Sequence, residues 1–180
     1  MHKAIVINIE RCLACKSCEM ACAVVHSQSG VLEEAIREQP KPQRTVTVEA
    51  AGEFAVPLQC RHCEDAPCVA ICPTKAIYRQ NPESPVLINA DLCIGCKFCI
   101  MVCPFGVIDV TRDGKAVTKC DLCIKRTTAG DEPACVESCP TRALQFCEVQ
   151  QWTSHRRKTA AKGAVNKLTQ QGKKTRGEKK

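Results

Sequence analysis

One cysteine spacing recurs four times in this chain, and it constrains the fold more than any other feature. Cys12, Cys15, Cys18 and Cys22 form C-x2-C-x2-C-x3-C, and Cys93, Cys96, Cys99 and Cys103 repeat it with Pro104 following. Cys60, Cys63, Cys68 and Cys72 widen the middle gap to four residues and end on Pro73. Cys120, Cys123, Cys135 and Cys139 widen it to eleven and end on Pro140. Of the seventeen cysteines, only Cys147 stands outside the sets. Such an internal repeat dictates architecture before any local propensity does.

The spacing carries its own chemistry. Three cysteines two residues apart wrap a loop around one iron–sulfur cube, each thiolate reaching a different iron. A cysteine three residues on opens a short helix and points away, toward a second cube. The proline stops that helix and returns the chain to an extended path. Tetrahedral zinc sites are built from two C-x2-C knuckles, without a third cysteine two residues on or a C-P step. Disulfides suit an even count but give no reason for one period repeated four times. The sixteen cysteines of the sets therefore predict four [4Fe–4S] clusters.

Composition agrees. The aromatics are Phe54, Tyr78, Phe98, Phe105, Phe146 and Trp152 alone, so a core in a chain of 180 residues must bury something other than rings. That length fits one domain, or two small ones on a shared scaffold. The N-terminus, MHKAIVINIERC, has no basic n-region before an apolar run and no twin-arginine pair. No apolar stretch approaches the roughly 20 residues of a membrane span. The expected location is the cytoplasm, where thiols stay reduced and free to bind metal. The formal charge of +7 is misleading, because residues 151–180 hold ten Lys or Arg against one Glu, leaving residues 1–150 at −2. With each thiolate-ligated cluster contributing about −2, the loaded core falls to about −10 and the whole chain to about −1.

Local patterns place strands at Ala4–Ile9, Thr45–Glu49 and Phe54–Leu58. Others follow the prolines at Ala76–Tyr78, Val107–Thr111 and Ala143–Phe146. Asp113-Gly114 is a hairpin turn between Val107–Thr111 and Ala116–Lys119. Leu32–Glu38 reads as a short helix before a loop at Pro40 and Pro42. Cys22 lacks a following proline, so its helix should run on through Val24, Val25 and His26. The polar stretch from Ile124 to Ala134, with Gly130 and Pro133, reads as a surface loop and contact surface.

Residues 60–73, CRHCEDAPCVAICP, and residues 119–140, from KCDLC to ACVESCP, resemble the four-cluster ferredoxin-like subunits of multi-subunit oxidoreductases. That family includes electron-transfer subunits of dimethyl sulfoxide reductase, formate dehydrogenases and hydrogenases. Within it, CKSCEMACAVVHS, VTVEAAG and PLQCRHCEDAPCV are most similar to the iron–sulfur protein that serves carbon monoxide dehydrogenase. The resemblance implies an α+β fold with much loop, made of two ferredoxin-like 2[4Fe–4S] modules, one nested within the other. Residues 1–59 and 104–150 would form the outer module, residues 60–103 the inner one, and 151–180 a basic tail. It also implies the ligand sets: Cys12, Cys15, Cys18 and Cys139; Cys60, Cys63, Cys68 and Cys103; Cys93, Cys96, Cys99 and Cys72; Cys120, Cys123, Cys135 and Cys22. Independent of the resemblance, the interval from Cys72 to Cys93 suits a compact two-cluster module. The function implied is electron relay from a carbon monoxide dehydrogenase catalytic subunit to a hydrogenase or other acceptor, with formate dehydrogenase or hydrogenase complexes as runners-up. An assembly or binding module whose clusters are only structural is the reading from a different class.

The remaining residues have plainer readings. Cys147 is expected to be a buried or idle thiol. His26 and His62 lie beside cluster sets, where ordinary loop or capping roles compete with an N–H donated to a cluster sulfur. Lys16, Arg61, Lys97 and Lys119 flank ligands, either as solvated charges or as stabilisers of a reduced cluster. No serine–histidine–acid set, phosphate loop or flavin fingerprint appears, so no catalytic residue is assigned. In the tail, a helix is expected from Trp152 to about Thr169 and disorder beyond Gly172. Without aromatic interleaving it does not read as a nucleic-acid binder; it reads as solvated, or as docked on an acidic partner or on the chain's own negative core.

Overall fold

The computed structural model describes residues 3–177, a mixture of short helices and strands with much loop. One compact unit spans Ile5–Phe146; the other joins the N-terminal residues up to Ala4 with Cys147 onward. Among the described residues no helix is long and apolar enough to cross a membrane.

Strand β1 (Lys3–Ile7) pairs with β8 (Leu144–Glu148). It ends earlier than expected because Ile9–Arg11 coils into a 3-10 turn that delivers Cys12. The same device, Ala90–Leu92, delivers Cys93. Helix α1 (Ser17–Val25) stops one residue short of expectation, with His26 as its C-cap. Helix α2 covers only Leu32–Ala35. It ends early because the Glu38 carboxylate turns back to accept the N–H groups of Gln28 (3.0 Å) and Ser29 (2.9 Å).

Strands β2 (Val46–Ala51) and β3 (Phe54–Gln59) form an antiparallel hairpin closed by Gly52-Glu53, with Gly52 at φ +61. Pro57 sits mid-strand opposite Val48. It costs no ladder bond, because the Val48 N–H is turned outward and donates to Glu19 Oε1 at 2.7 Å. The other oxygen of Glu19 pairs with Arg44 Nε at 3.0 Å. Glu19 therefore bolts α1, which carries Cys18 and Cys22, to this hairpin.

After helix α3 (Pro67–Ala70), the strand expected past Pro73 appears as β4 (Ile77–Tyr78), paired antiparallel with β5 (Leu87–Ile88). After helix α4 (Phe98–Val102), β6 (Asp109–Val110) pairs with β7 (Val117–Thr118). The Asp113-Gly114 turn stands between them, Gly114 at φ +75 and Asp113 accepting from Thr111 Oγ1 at 2.6 Å.

The stretch from Ile124 to Ala134 is not the loop expected. It contains helix α5 (Ile124–Ala129), capped by Gly130 at φ +97, and only then a short loop into helix α6 (Ala134–Glu137). The polar residues misread as loop are what close it. The Asp131 N–H reaches back to the Arg126 carbonyl at 3.0 Å, Arg126 Nε donates to the Glu132 carbonyl at 2.9 Å, and Arg126 Nη2 pairs with Glu137 at 2.5 Å.

Two apolar cores lie within Ile5–Phe146. The first gathers Ile5, Val46, Val48, Val136 and Leu144 around Cys18, Cys22 and Cys135. The second gathers Ile77, Val86, Ile108 and Val117 around Cys68 and Cys99. Cysteines thus take the place that rings occupy in ordinary cores.

In the other unit, helix α7 (Val149–Gly177) includes the helix expected from Trp152. It also continues through Gly172, where disorder was expected. Long unbranched Lys and Arg side chains are good helix formers, and cations near a helix C-terminus oppose its dipole favourably. Residues 178–180 lie outside the described residues. Cys147 is half-buried, and burial pushes its thiol up.

Candidate metal centres

Each cysteine loop bends at the same place. Ala14, His62, Gly95 and Leu122, each immediately before the second cysteine of its set, adopt φ of 55, 48, 66 and 61°. Three residues past the fourth cysteine, Lys75, Gly106 and Arg142 do so as well, at 54, 60 and 52°. The set ending in Cys22 lacks that second bend because α1 runs on. Left-handed backbone costs a residue with a side chain about 1–2 kcal/mol. The same bend at the same register in four loops, strained in the three without glycine, points to what the loops enclose. Alternating right- and left-handed residues turn successive N–H groups inward as a nest for an anionic group. Accordingly the His62 and Leu122 N–H groups donate to Cys60 and Cys120 Sγ, both at 3.4 Å.

The last cysteines are served by the second bend. Burial opposes the Cys72 thiolate, but N–H groups of Ile77, Thr74 and Ala76 with the Thr74 hydroxyl hold its thiol below the ordinary value. Cys139 is treated alike: against burial, the N–H groups of Leu144, Ala143 and Thr141 and the Thr141 hydroxyl hold it low. Cys22 is held low against burial by His26 and by Thr45, whose N–H and hydroxyl both lie 3.3 Å from its sulfur. His26 is anchored for this, its Nε2 on Asp121 at 3.0 Å and its Nδ1 on the Cys22 carbonyl at 2.8 Å. Asp121 first, then Cys22, raises its pKa to about 11.

The structure brings the cysteines together across the sets. Cys60, Cys63, Cys68 and Cys103 line one cavity, walled by Val86, Pro104 and Ile108. Cys72, Cys93, Cys96 and Cys99 line another, walled by Ile77 and Val117. Burial, and after it the nearness of Cys120, Cys22 and Cys123, drives the Cys135 thiol far up. Cys18 is raised to about 11 by burial, with Glu19, Cys139 and Cys15 adding to it. Cys12 packs at the edge of the same core. Cys120 is pushed up by burial, with Cys22 and Cys60 both near enough to add to it.

This donor chemistry fits [4Fe–4S] clusters. Thiols crowded in fours, seven of them buried, resist ionising together unless a cationic iron core accepts the charge. His62 adds a second observation. Its Nδ1 accepts the Val86 N–H at 3.0 Å, and burial first, then Lys119, lowers its pKa to about 3, so the proton of the neutral ring sits on Nε2. That buried N–H has no acceptor among the described residues, which leaves it for a cluster sulfur.

Of the flanking cations, Lys16, Arg61 and Lys97 are exposed, whereas Lys119 is buried. Sequence reasoning missed Arg79, whose guanidinium donates to the carbonyls of His62 (2.7 Å), Cys63 (2.6 Å) and Glu64 (3.3 Å). It pins the second loop from outside, and only its place beside the post-proline strand hinted at it. Arg79→Met is expected to remove about 2–3 kcal/mol of local stability. A chelator should then extract about four irons per chain faster than the rest, as read by iron-release kinetics.

Comparison with known proteins agrees with this chemistry. The 4Fe–4S dicluster domain matches residues 52–149, and a 4Fe–4S binding domain matches residues 9–25. An iron–sulfur protein of Rhodospirillum rubrum is 44% identical over 156 residues, covering 79% of this chain and 80% of its own length. The thiosulfate reductase electron transfer subunit of Salmonella typhi is 35% identical, covering 87% of this chain and 86% of its own. The B subunit of the anaerobic dimethyl sulfoxide reductase of Escherichia coli is 34% identical, covering 78% and 70%. With its cysteine sets and their repeated bends matching these domains, the chain belongs to the 4Fe–4S dicluster-domain family of iron–sulfur proteins.

Proposed function

We propose that this chain is the electron-transfer subunit of a larger oxidoreductase, carrying four [4Fe–4S] clusters as a relay, and that it works in the cytoplasm. Its ligand sets are Cys12, Cys15, Cys18 and Cys139; Cys60, Cys63, Cys68 and Cys103; Cys93, Cys96, Cys99 and Cys72; and Cys120, Cys123, Cys135 and Cys22. The observation that carries the reading is the gathering of each last cysteine with the first three of another set. The two-module organisation, residues 60–103 nested within 1–59 and 104–150, follows from the same exchange. Two separate cores support two modules, although the second core also takes Ile108 and Val117 from beyond Cys103. When bound, the clusters supply one-electron chemistry; catalysis belongs to a partner.

The chain's own residues shape the path. Cys120 has both Cys22 and Cys60 as neighbours, which puts the second and fourth loops in succession. At the two extremes, Cys15 and Cys96 are exposed. Exposed apolar residues flank each in sequence: Ile9, Leu13 and Met20 around Cys15; Leu92, Ile94, Phe98 and Met101 around Cys96, where Ile94 and Phe98 share its cavity. Exposed ligands in apolar surroundings are what a relay needs where electrons enter and leave.

Kinship with the thiosulfate and dimethyl sulfoxide reductase subunits supports a catalytic oxidoreductase partner. The finer identity we propose is a nickel–iron carbon monoxide dehydrogenase subunit, with a hydrogenase or other acceptor at the far end. This rests on the segments CKSCEMACAVVHS and PLQCRHCEDAPCV. The test is anaerobic purification of the complex. About sixteen irons per chain and reversible reduction of every cluster by carbon monoxide through the co-purifying subunit are expected. Zinc, or clusters that dithionite cannot reduce, would sink the relay; reduction only through a molybdopterin subunit would replace the partner. Met101, 81% exposed, offers a docking test. Met101→Glu should weaken partner binding about tenfold to a hundredfold with iron content unchanged, measured as the dissociation constant.

A further inference from the structure

Lys119 is only 6% exposed, and its Nζ donates to the carbonyls of Val86 and Cys120, the latter at 2.9 Å. Among the described residues no carboxylate pairs with it. A cation buried without a counter-ion is strongly destabilising. Something in its surroundings must therefore compensate.

The surroundings are thiolate ligands on two sides. Lys119 directly precedes Cys120, a ligand of the fourth loop. It also reaches the second: Val86, whose carbonyl accepts from its Nζ, lines the cavity of Cys60, Cys63, Cys68 and Cys103. The peptide of Val86, 1% exposed, joins the two sides, its N–H on His62 Nδ1 and its carbonyl under Lys119. The ammonium is thus held between the Cys60–Cys63–Cys68–Cys103 site and the Cys120–Cys123–Cys135–Cys22 site.

We propose that Lys119 is the fixed counter-charge of the two central clusters and raises their reduction potentials. The inference rests on the four-cluster reading above. A cluster with four thiolates carries about −2 when oxidised and gains a further negative charge on reduction. A nearby desolvated cation favours the more negative state. Lys16, Arg61 and Lys97 cannot do the same to equal effect, because water and salt screen exposed charges.

The test is a redox titration followed by electron paramagnetic resonance, on the full chain and on Lys119→Met, Lys119→Gln and Lys119→Arg. Iron content, about sixteen per chain, checks the cluster reading separately. If Lys119 acts by charge, the Met and Gln variants lower two of the four potentials. The shift should be about tenfold in the reduction equilibrium, or about 59 mV for a one-electron couple. Lys119→Arg, which keeps the charge, stays near the wild-type values. Loss of iron from the Met and Gln variants with retention in Lys119→Arg also supports a charge requirement. Unchanged potentials in an iron-replete Met or Gln variant overturn the proposal. So does an equal shift of all four, or loss of iron from all three variants, any of which makes Lys119 a structural bolt.

Discussion

Iron removal under reducing conditions is expected to unfold residues 5–146. The elements there are too short to stand alone: β4 to β7 have two residues each, and α2, α3 and α6 have four. Isolated helices below about 12–15 residues are marginal in water, and so is a two-stranded hairpin. The cores offer little compensation, since Cys18, Cys22 and Cys135 fill one centre and Cys68 and Cys99 the other. Without a cluster, the left-handed bends at Ala14, His62 and Leu122 keep their strain and lose what they enclose. Metal coordination by structural zinc sites contributes about 10–16 kcal/mol to folding. A comparable contribution here would match the whole stability of an ordinary domain, about 5–15 kcal/mol. Chelation followed by amide hydrogen exchange should show protection lost throughout Ile5–Phe146. Persistent protection of the Ile77 and Val117 amides in an iron-free chain would show a fold independent of its metal.

The metal chemistry was legible in the sequence because ligand spacing is local: C-x2-C, C-x3-C and C-P speak of loop, helix and stop, although in the three C-P sets the helix ends before the fourth cysteine instead of opening at it. The β2–β3 hairpin and the Asp113-Gly114 turn were legible for the same reason. What depended on distant residues was not. Lys119 looks no different in sequence from Lys16 or Lys97, yet it alone is buried, because the Val86 carbonyl arrives from beside β5 to accept its hydrogen bond. The capture of loop carbonyls by Arg79 needs β4 folded back over the second loop. Helix α5 was misread because Thr127, Thr128 and Asp131 suggest a loop by composition. In the structure the threonine hydroxyls fold back on carbonyls of Cys123 and Ile124, and the Asp131 N–H caps the helix end. The proposed exchange of the last ligands between sets is likewise a tertiary matter, for which the resemblance supplied an expectation that spacing alone did not.

Gly95→Ala is expected to disable the Cys93–Cys96–Cys99–Cys72 site while the other three keep their iron. Gly95 has φ +66, but backbone preference is not the reason for glycine there. The equivalent bends in the other loops are occupied by Ala14, His62 and Leu122, at φ of 55, 48 and 61°. A side chain is therefore compatible with the bend itself, at about 1–2 kcal/mol. What differs is the neighbour. A Cβ on Gly95 would collide with the Lys115 carbonyl oxygen and stand 3.3 Å from its carbon, both backbone. Lys115 cannot give way cheaply, since its N–H is fixed to Asp113 at 3.1 Å and Ala116 is tied to Thr111 on both sides of the turn. The contact must be relieved by moving the Cys93–Cys96 loop, and ligand geometry tolerates little of that. Gly106→Ala is the control, with φ +60 but nothing within 4 Å of the added carbon. Gly95→Ala should lose about four irons per chain and the electron exchange that passes through exposed Cys96, whereas Gly106→Ala should keep both at a modest loss of stability. Iron analysis and the electron paramagnetic resonance count of reducible clusters measure this. A Gly95→Ala chain with a full complement of iron would mean that the turn at Lys115 yields, and that the close approach is not what selects glycine.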